Sequence, residues 1–150
     1  MRTKIVPLLK PSSILEFSAS WYVVFTPLDV TKPKHWWNYF INNEYAHVRA
    51  FTDMGEYWLT VDPLYSHTHI ALVNKKVDLL GKALSDSRVV LVENLIKENA
   101  IPKILPFSCV SVVKSLLGIH DYSITPFQLY KNLLRRHNGR ILWRWRRRRS

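Results

Sequence analysis

Residues 45–63 read YAHVRAFTDMGEYWLTVDP. Two runs rich in β-branched and aromatic residues, 45–51 and 57–62, flank Asp53-Met54-Gly55-Glu56. That tetrapeptide predicts a turn with glycine where a positive φ is needed, and Pro63 ends the second run. The segment is a β-hairpin. With the turn centred between Met54 and Gly55, Phe51 faces Trp58, Arg49 faces Thr60 and His47 faces Asp62. Directly opposed residues share a sheet face with Cβ atoms about 4.5–5.5 Å apart, so an imidazole and a carboxylate become neighbours without any tertiary argument. A two- or four-residue loop gives this result. A three-residue loop slips the register by one and sends the two groups to opposite faces.

Further strands read outward from the hairpin. SWYVVFT, 20–26, is ended by Pro27; THIALV, 68–73, and RVVLV, 88–92, are similar. Residues 74–87 are a poorly defined connection with room for a helical turn, and 1–18 read as an irregular lead-in. A helix is expected after Thr31 and Pro33, carrying Trp36, Trp37 and Phe40. Ser108 is placed to cap a helix over 109–117, with Gly118 as its left-handed stop. Thr125-Pro126-Phe127-Gln128 is a capping box with proline at the first helical position, and Phe127, Tyr130 and Leu134 share one face of the helix that follows to about 136. No internal repeat is present. The class is α+β: an antiparallel sheet of about five strands with helices packed on it.

The chain has 150 residues, of which 47% are hydrophobic and 13% aromatic, enough for one globular domain with a real core. No apolar run reaches about 18 residues, so no transmembrane segment is expected. The opening MRTKIVPLLKP is broken by Pro7 and does not read as a cleavable secretion signal. Charge is unevenly placed. The net is +11, yet the first 130 residues hold 13 basic and 11 acidic side chains, while 131–150 hold nine basic and none acidic. The charge is thus nearly balanced over 1–130, and the organisation is one domain, 1–136, and a basic tail, 137–150. The tail ends RILWRWRRRRS, interleaving Trp143 and Trp145 with Arg140, Arg144, Arg146, Arg147, Arg148 and Arg149. Such a pattern suits an anionic partner (nucleic acid, a bacterial envelope or an acidic protein patch), or else a solvated tail. No glycine-rich phosphate loop is present, which argues against nucleotide hydrolysis.

A histidine beside an aspartate is the orienting half of a nucleophile–base–orienter set, because the carboxylate fixes the tautomer and stabilises the imidazolium. The missing nucleophile has one thiol candidate, Cys109, the only cysteine. It falls in the first turn of a helix, where orphan N–H groups and the helix dipole favour a thiolate and where its own N–H is free to hold an oxyanion. The three residues converge if that helix lies on the sheet face bearing His47. Competing readings exist for each residue. A lone cysteine in an apolar helix packs well as a core residue, and a strand His–Asp pair is often only structural. His67 and His69 alternate along one strand, but no third ligand of metal-site spacing accompanies them. Trp36, Trp37 and Trp58 suit the core or a groove wall better than ligand stacking.

The run His47-Val48-Arg49-Ala50-Phe51, a short turn and Trp58-Leu59-Thr60-Val61-Asp62-Pro63 resembles the His strand and the W-x-x-x-D-P strand of transglutaminase-like cysteine enzymes. Cys109-Val110-Ser111-Val112-Val113-Lys114-Ser115-Leu116-Leu117-Gly118-Ile119 resembles a nucleophile-bearing helix of the papain-like clan. The order His, Asp, Cys is similar to circularly permuted members, such as the acyltransferases related to lecithin retinol acyltransferase. With Thr125-Pro126-Phe127-Gln128-Leu129-Tyr130, the order of elements over 20–136 also resembles small proteins of tailed bacteriophages. The resemblance implies a thiol hydrolase of amide or peptide bonds, with Cys109 as nucleophile, His47 as general base and acid and Asp62 as orienter, without a cofactor or metal. It implies location in a virion or host cytoplasm, with cell-wall peptide as one substrate. No counterpart of the upstream glutamine of the papain-like oxyanion hole is identifiable, so that donor stays unassigned. The alternative is a non-enzymatic virion or nucleic-acid-associated protein acting through its basic tail.

Overall fold

The computed structural model describes residues 18–27, 44–95 and 108–142. The helix expected around Trp36 and Trp37, and Arg144 and Arg146 to Arg149 of the tail, lie outside the described residues. The elements run β1 (Ser18–Thr26), β2 (His47–Asp53), β3 (Tyr57–Pro63), β4 (Thr68–Asn74), α1 (Leu79–Asp86), β5 (Arg88–Leu95), α2 (Cys109–Leu116), α3 (Pro126–Arg136) and β6 (Arg140–Leu142). The six strands form one open antiparallel sheet in the order β4-β3-β2-β1-β5-β6. The class is α+β, as the sequence predicts, with one strand more. Arg140–Leu142, counted with the basic tail from sequence, pairs with β5 through Val89↔Leu142, Val90↔Ile141 and Leu91↔Arg140. The exposed Arg140 Nη2 also lies 3.2 Å from Glu93 Oε1.

Strand alternation sorts the core into two layers. On one side Trp21, Val23 and Phe25 of β1, Val48 and Ala50 of β2 and Val61 of β3 cluster with Val110, Val113 and Leu117, and with Leu129 and Leu133 of α3. On the other, Val24, Phe51 and Val89 cluster with Ala83 of α1, and Tyr22 and Trp58 pack against them. Trp58 is therefore a partly buried residue flanking this core, edge-on to Tyr22 and Phe51 at 5.6 and 5.2 Å. The buried stripe of α2, Val110-Val113-Leu117, has helical spacing; each such side chain withdrawn from water contributes about 1.5–3 kcal/mol. On α3 the buried pair is Leu129 and Leu133, while Phe127, Tyr130 and Leu134 pack half-buried beside it.

The hairpin register departs from expectation in an instructive way. The observed pairs are Ala50↔Val61, Phe51↔Thr60, Thr52↔Leu59 and Asp53↔Trp58. The turn is centred one residue later, between Gly55 and Glu56. Gly55 sits at its first central position with φ +82°, and Met54 N–H donates to the Tyr57 carbonyl at 2.9 Å. Glycine with positive φ at that position marks a primed hairpin turn, whose twist suits the flanking strands. Moving the centre by one residue moves every pairing by two, which preserves the face of each side chain. Asp62 thus continues the register opposite Arg49, with His47 its diagonal neighbour on the same face.

Candidate functional site

His47 is the first residue of β2 and pairs with Thr26 at the end of β1. Asp62 stands near the end of β3. Their side chains meet: His47 Nε2 donates to Asp62 Oδ1 at 2.7 Å, both about one-third exposed. Arg49 Nη1 lies 4.0 Å from the other carboxylate oxygen, where the register places it. The short diagonal bond replaces the directly opposed pair that the sequence predicts, and reaches the same chemical result.

Cys109 opens α2. Ser108 is its N-cap in extended conformation: Ser111 N–H donates to Ser108 Oγ at 3.1 Å, and Ser108 N–H donates back to Ser111 Oγ at 2.9 Å. This closes a capping box with serine at both positions and fixes the entry angle of the helix. Gly118, with φ +63°, ends it as expected. The thiol is half-buried and not disulfide-bonded. It lies beside the His47 ring, and the two groups shift each other's titration. Nε2 is committed to Asp62, so Nδ1 is the ring nitrogen left for the sulfur. The three groups singled out from sequence are brought together.

They do not converge by the route expected. Convergence on one sheet face would need α2 to cover the side bearing His47. Instead α2 packs on Val48, Ala50 and Val61, which alternate with His47 and Asp62. The meeting takes place at the end of the sheet. There His47 has no preceding strand residue beside it, and the first turn of α2 comes over the strand ends.

Charge in the cluster is set by this packing. Burial pushes the Cys109 thiol up, but the hydrogen bond with His47, the Val48 N–H, the imidazole charge and the Val110 N–H together outweigh it and leave the thiol more acidic than usual. The hydrogen bond to Cys109 is the largest influence raising His47; burial opposes it, and Asp62 adds to the rise. The arrangement favours a thiolate–imidazolium pair held by a carboxylate.

A cleft of about 600 Å³ borders the cluster, lined by His47, Pro63, Leu64, Tyr65, Ser108 and Cys109. That is ample for a small substrate or a peptide side chain. Pro63, Leu64 and Tyr65 were not singled out from sequence as site residues, although a proline that ends a strand beside Asp62 does signal that the chain turns there. The Val48 and Val110 amides were also missed, because backbone donors leave no mark in side-chain patterns. Exposed His67 bonds its neighbour, Ser66 Oγ to Nδ1 at 3.0 Å, and His69 lies opposite Asp62 in the β3–β4 register. Among the described residues no three His, Cys, Asp or Glu side chains are gathered as a metal site, and no helix is long and apolar enough to cross a membrane.

No protein-family model matches the chain, and neither a curated protein nor a solved structure matches it.

Proposed function

We propose that the chain is a thiol hydrolase that cleaves an amide or peptide bond, with Cys109, His47 and Asp62 arranged as in permuted papain-like enzymes. One observation carries the reading. A thiol, an imidazole and a carboxylate, far apart in sequence, gather in one cluster: His47 is hydrogen-bonded to Asp62, His47 and Cys109 shift each other's titration, and both line one cleft. In the mechanism that follows, the Cys109 sulfur attacks the carbonyl carbon, and the oxyanion is met by the Cys109 N–H at the open end of α2. The His47 imidazolium gives its proton to the leaving amine as the C–N bond breaks, which leaves a thioester. His47, now neutral, takes a proton from water; the hydroxide portion displaces the sulfur and releases the acid. Asp62 holds the ring in the tautomer and orientation both steps need. Beyond His47, the cleft presents Pro63, Leu64 and Tyr65, which suit an uncharged or aromatic group beside the scissile bond. The bacteriophage resemblance makes cell-wall peptide the first substrate to try.

Mass spectrometry of the protein mixed with activated peptidyl esters tests the reading. The expected result is a hydroxylamine-labile acyl adduct on Cys109 that is absent from Cys109→Ser and slow to form and to hydrolyse in His47→Ala. Equal labelling of wild type and His47→Ala would remove the support.

A further inference from the structure

We infer that β4 is the interface through which two copies of this chain pair, edge to edge, into one continuous sheet. The inference rests on the sheet alone and not on the hydrolase reading. The two edges of the sheet differ sharply. The β6 edge is three residues long, carries Arg140 paired to Glu93, and leads into the arginine-rich tail. The β4 edge is seven residues long, THIALVN, with no proline and no Lys, Arg, Asp or Glu. Proteins protect free edges with charge, proline or shortness, and β4 uses none of these. Its outer backbone N–H and C=O groups have no partner strand among the described residues.

What fits this edge is itself. Antiparallel pairing about a dyad at Ala71 sets Ile70 against Leu72 of the second copy, Leu72 against Ile70, His69 against Val73 and Thr68 against Asn74. Ile70 and Leu72 are each 64% exposed, and both lie on the face that pairs inward with Val61 and Leu59. The dyad therefore joins two apolar pairs into one strip that continues the core layer, with no charge facing a like charge. It also brings the Leu64–Tyr65 end of one edge beside the Asn74–Val77 end of the other. Leu64, Tyr65 and Val77 are all exposed apolar residues, and Lys75 in that turn is already paired with Asp53. The strand itself, 68–74, holds no Lys, Arg, Asp or Glu that would repel a second copy. Because Leu64 and Tyr65 also line the cleft, the second copy would stand at the rim of the site.

The test is the molar mass of the full chain across a dilution series, by sedimentation or light scattering. The expected wild-type result is twice 17.7 kDa when concentrated, falling toward the monomer on dilution. Ile70→Lys with Leu72→Lys opposes two ammonium pairs across the dyad and should give a monomer. Because both sites are exposed, its circular dichroism should match wild type, and its unfolding midpoint should match that of wild type diluted to the monomer. Ile70→Lys with Leu72→Glu sets each ammonium against a carboxylate of the second copy and should restore the dimer, now weakened by salt. A wild type that stays monomeric throughout overturns the inference. So does a double-lysine variant that remains a dimer, or a lysine–glutamate variant no better than the double lysine. A monomer in which the double lysine abolishes peptide turnover would also overturn it and assign the edge to a substrate strand.

Discussion

Replacing Lys114 with methionine removes a charge that the fold has taken fully out of water. The Lys114 side chain is 3% exposed and that of Asp121 5%. The ammonium has three protons and three acceptors: the Asp121 carbonyl, the Ser123 carbonyl at 3.1 Å and Asp121 Oδ1 at 3.1 Å. Methionine keeps the length of the side chain and deletes all three bonds. Asp121 is then left buried, supported only by Ser123 and by His137 Nε2 at 3.9 Å. Breaking a buried pair by removing one partner costs about 3–5 kcal/mol, and the orphaned carbonyls are part of that figure and not an addition to it. Against a typical domain stability of about 5–15 kcal/mol this is severe. Urea unfolding followed by tryptophan fluorescence should show the midpoint falling with an unchanged slope. The acid limb supplies a second signature. Burial raises the Asp121 carboxyl, but its Ser123 and Lys114 partners outweigh this and hold it below the usual range. A depressed carboxyl stabilises the fold above its unfolded pKa, and that stability is lost as pH falls through the folded value. Without Lys114 the folded-state carboxyl moves up toward its unfolded value, so this acid-linked loss should shrink. A change below about 1 kcal/mol with an unmoved acid limb would show that the ammonium is not buried as described.

Three further outcomes are expected. Gly55→Ala puts a side chain at φ +82° and should cost about 1 kcal/mol or more in the same unfolding assay, although nothing crowds the new Cβ. Asp62→Asn should keep the fold yet slow any Cys109-dependent turnover by several orders of magnitude, as loss of an orienting carboxylate does elsewhere, with little change in KM. Deleting 143–150 should abolish binding to nucleic acid or anionic vesicles and its steep salt dependence, while Cys109→Ala leaves that binding intact; filter binding over a salt series measures it. The cut belongs after Leu142, since a cut at 140 also removes β6.

The parts legible in sequence are those written in local chemistry. Ser108 and Thr125 announce their helices because caps are built within four residues, and Gly118 marks a stop for the same reason. The hairpin is legible down to the face of each residue. Its exact pairing is not, because Gly55 suits more than one turn position and only the twist of the finished sheet selects among them. Helix α1 is weakly written: Leu79–Asp86 is short and contains Gly81, and its cap Asp78 follows two lysines and a valine that read as a connection. Lys114 looks like a solvated helix residue until the 118–125 segment folds back over it. The meeting of Cys109 with His47 is a tertiary fact of the same kind. Alternation places the α2 stripe and His47 on opposite sides, and only the geometry of the sheet end brings them into contact.

The Cys109 sulfur and the His47 ring should ionise as one unit. The most direct measurement is the rate of Cys109 alkylation against pH in wild type and His47→Ala. The expected wild-type midpoint lies below the ordinary thiol value of about 8.5 and moves up when the imidazole is removed and burial acts on the thiol with fewer opposing partners. An ordinary midpoint, unchanged by the substitution, would contradict it.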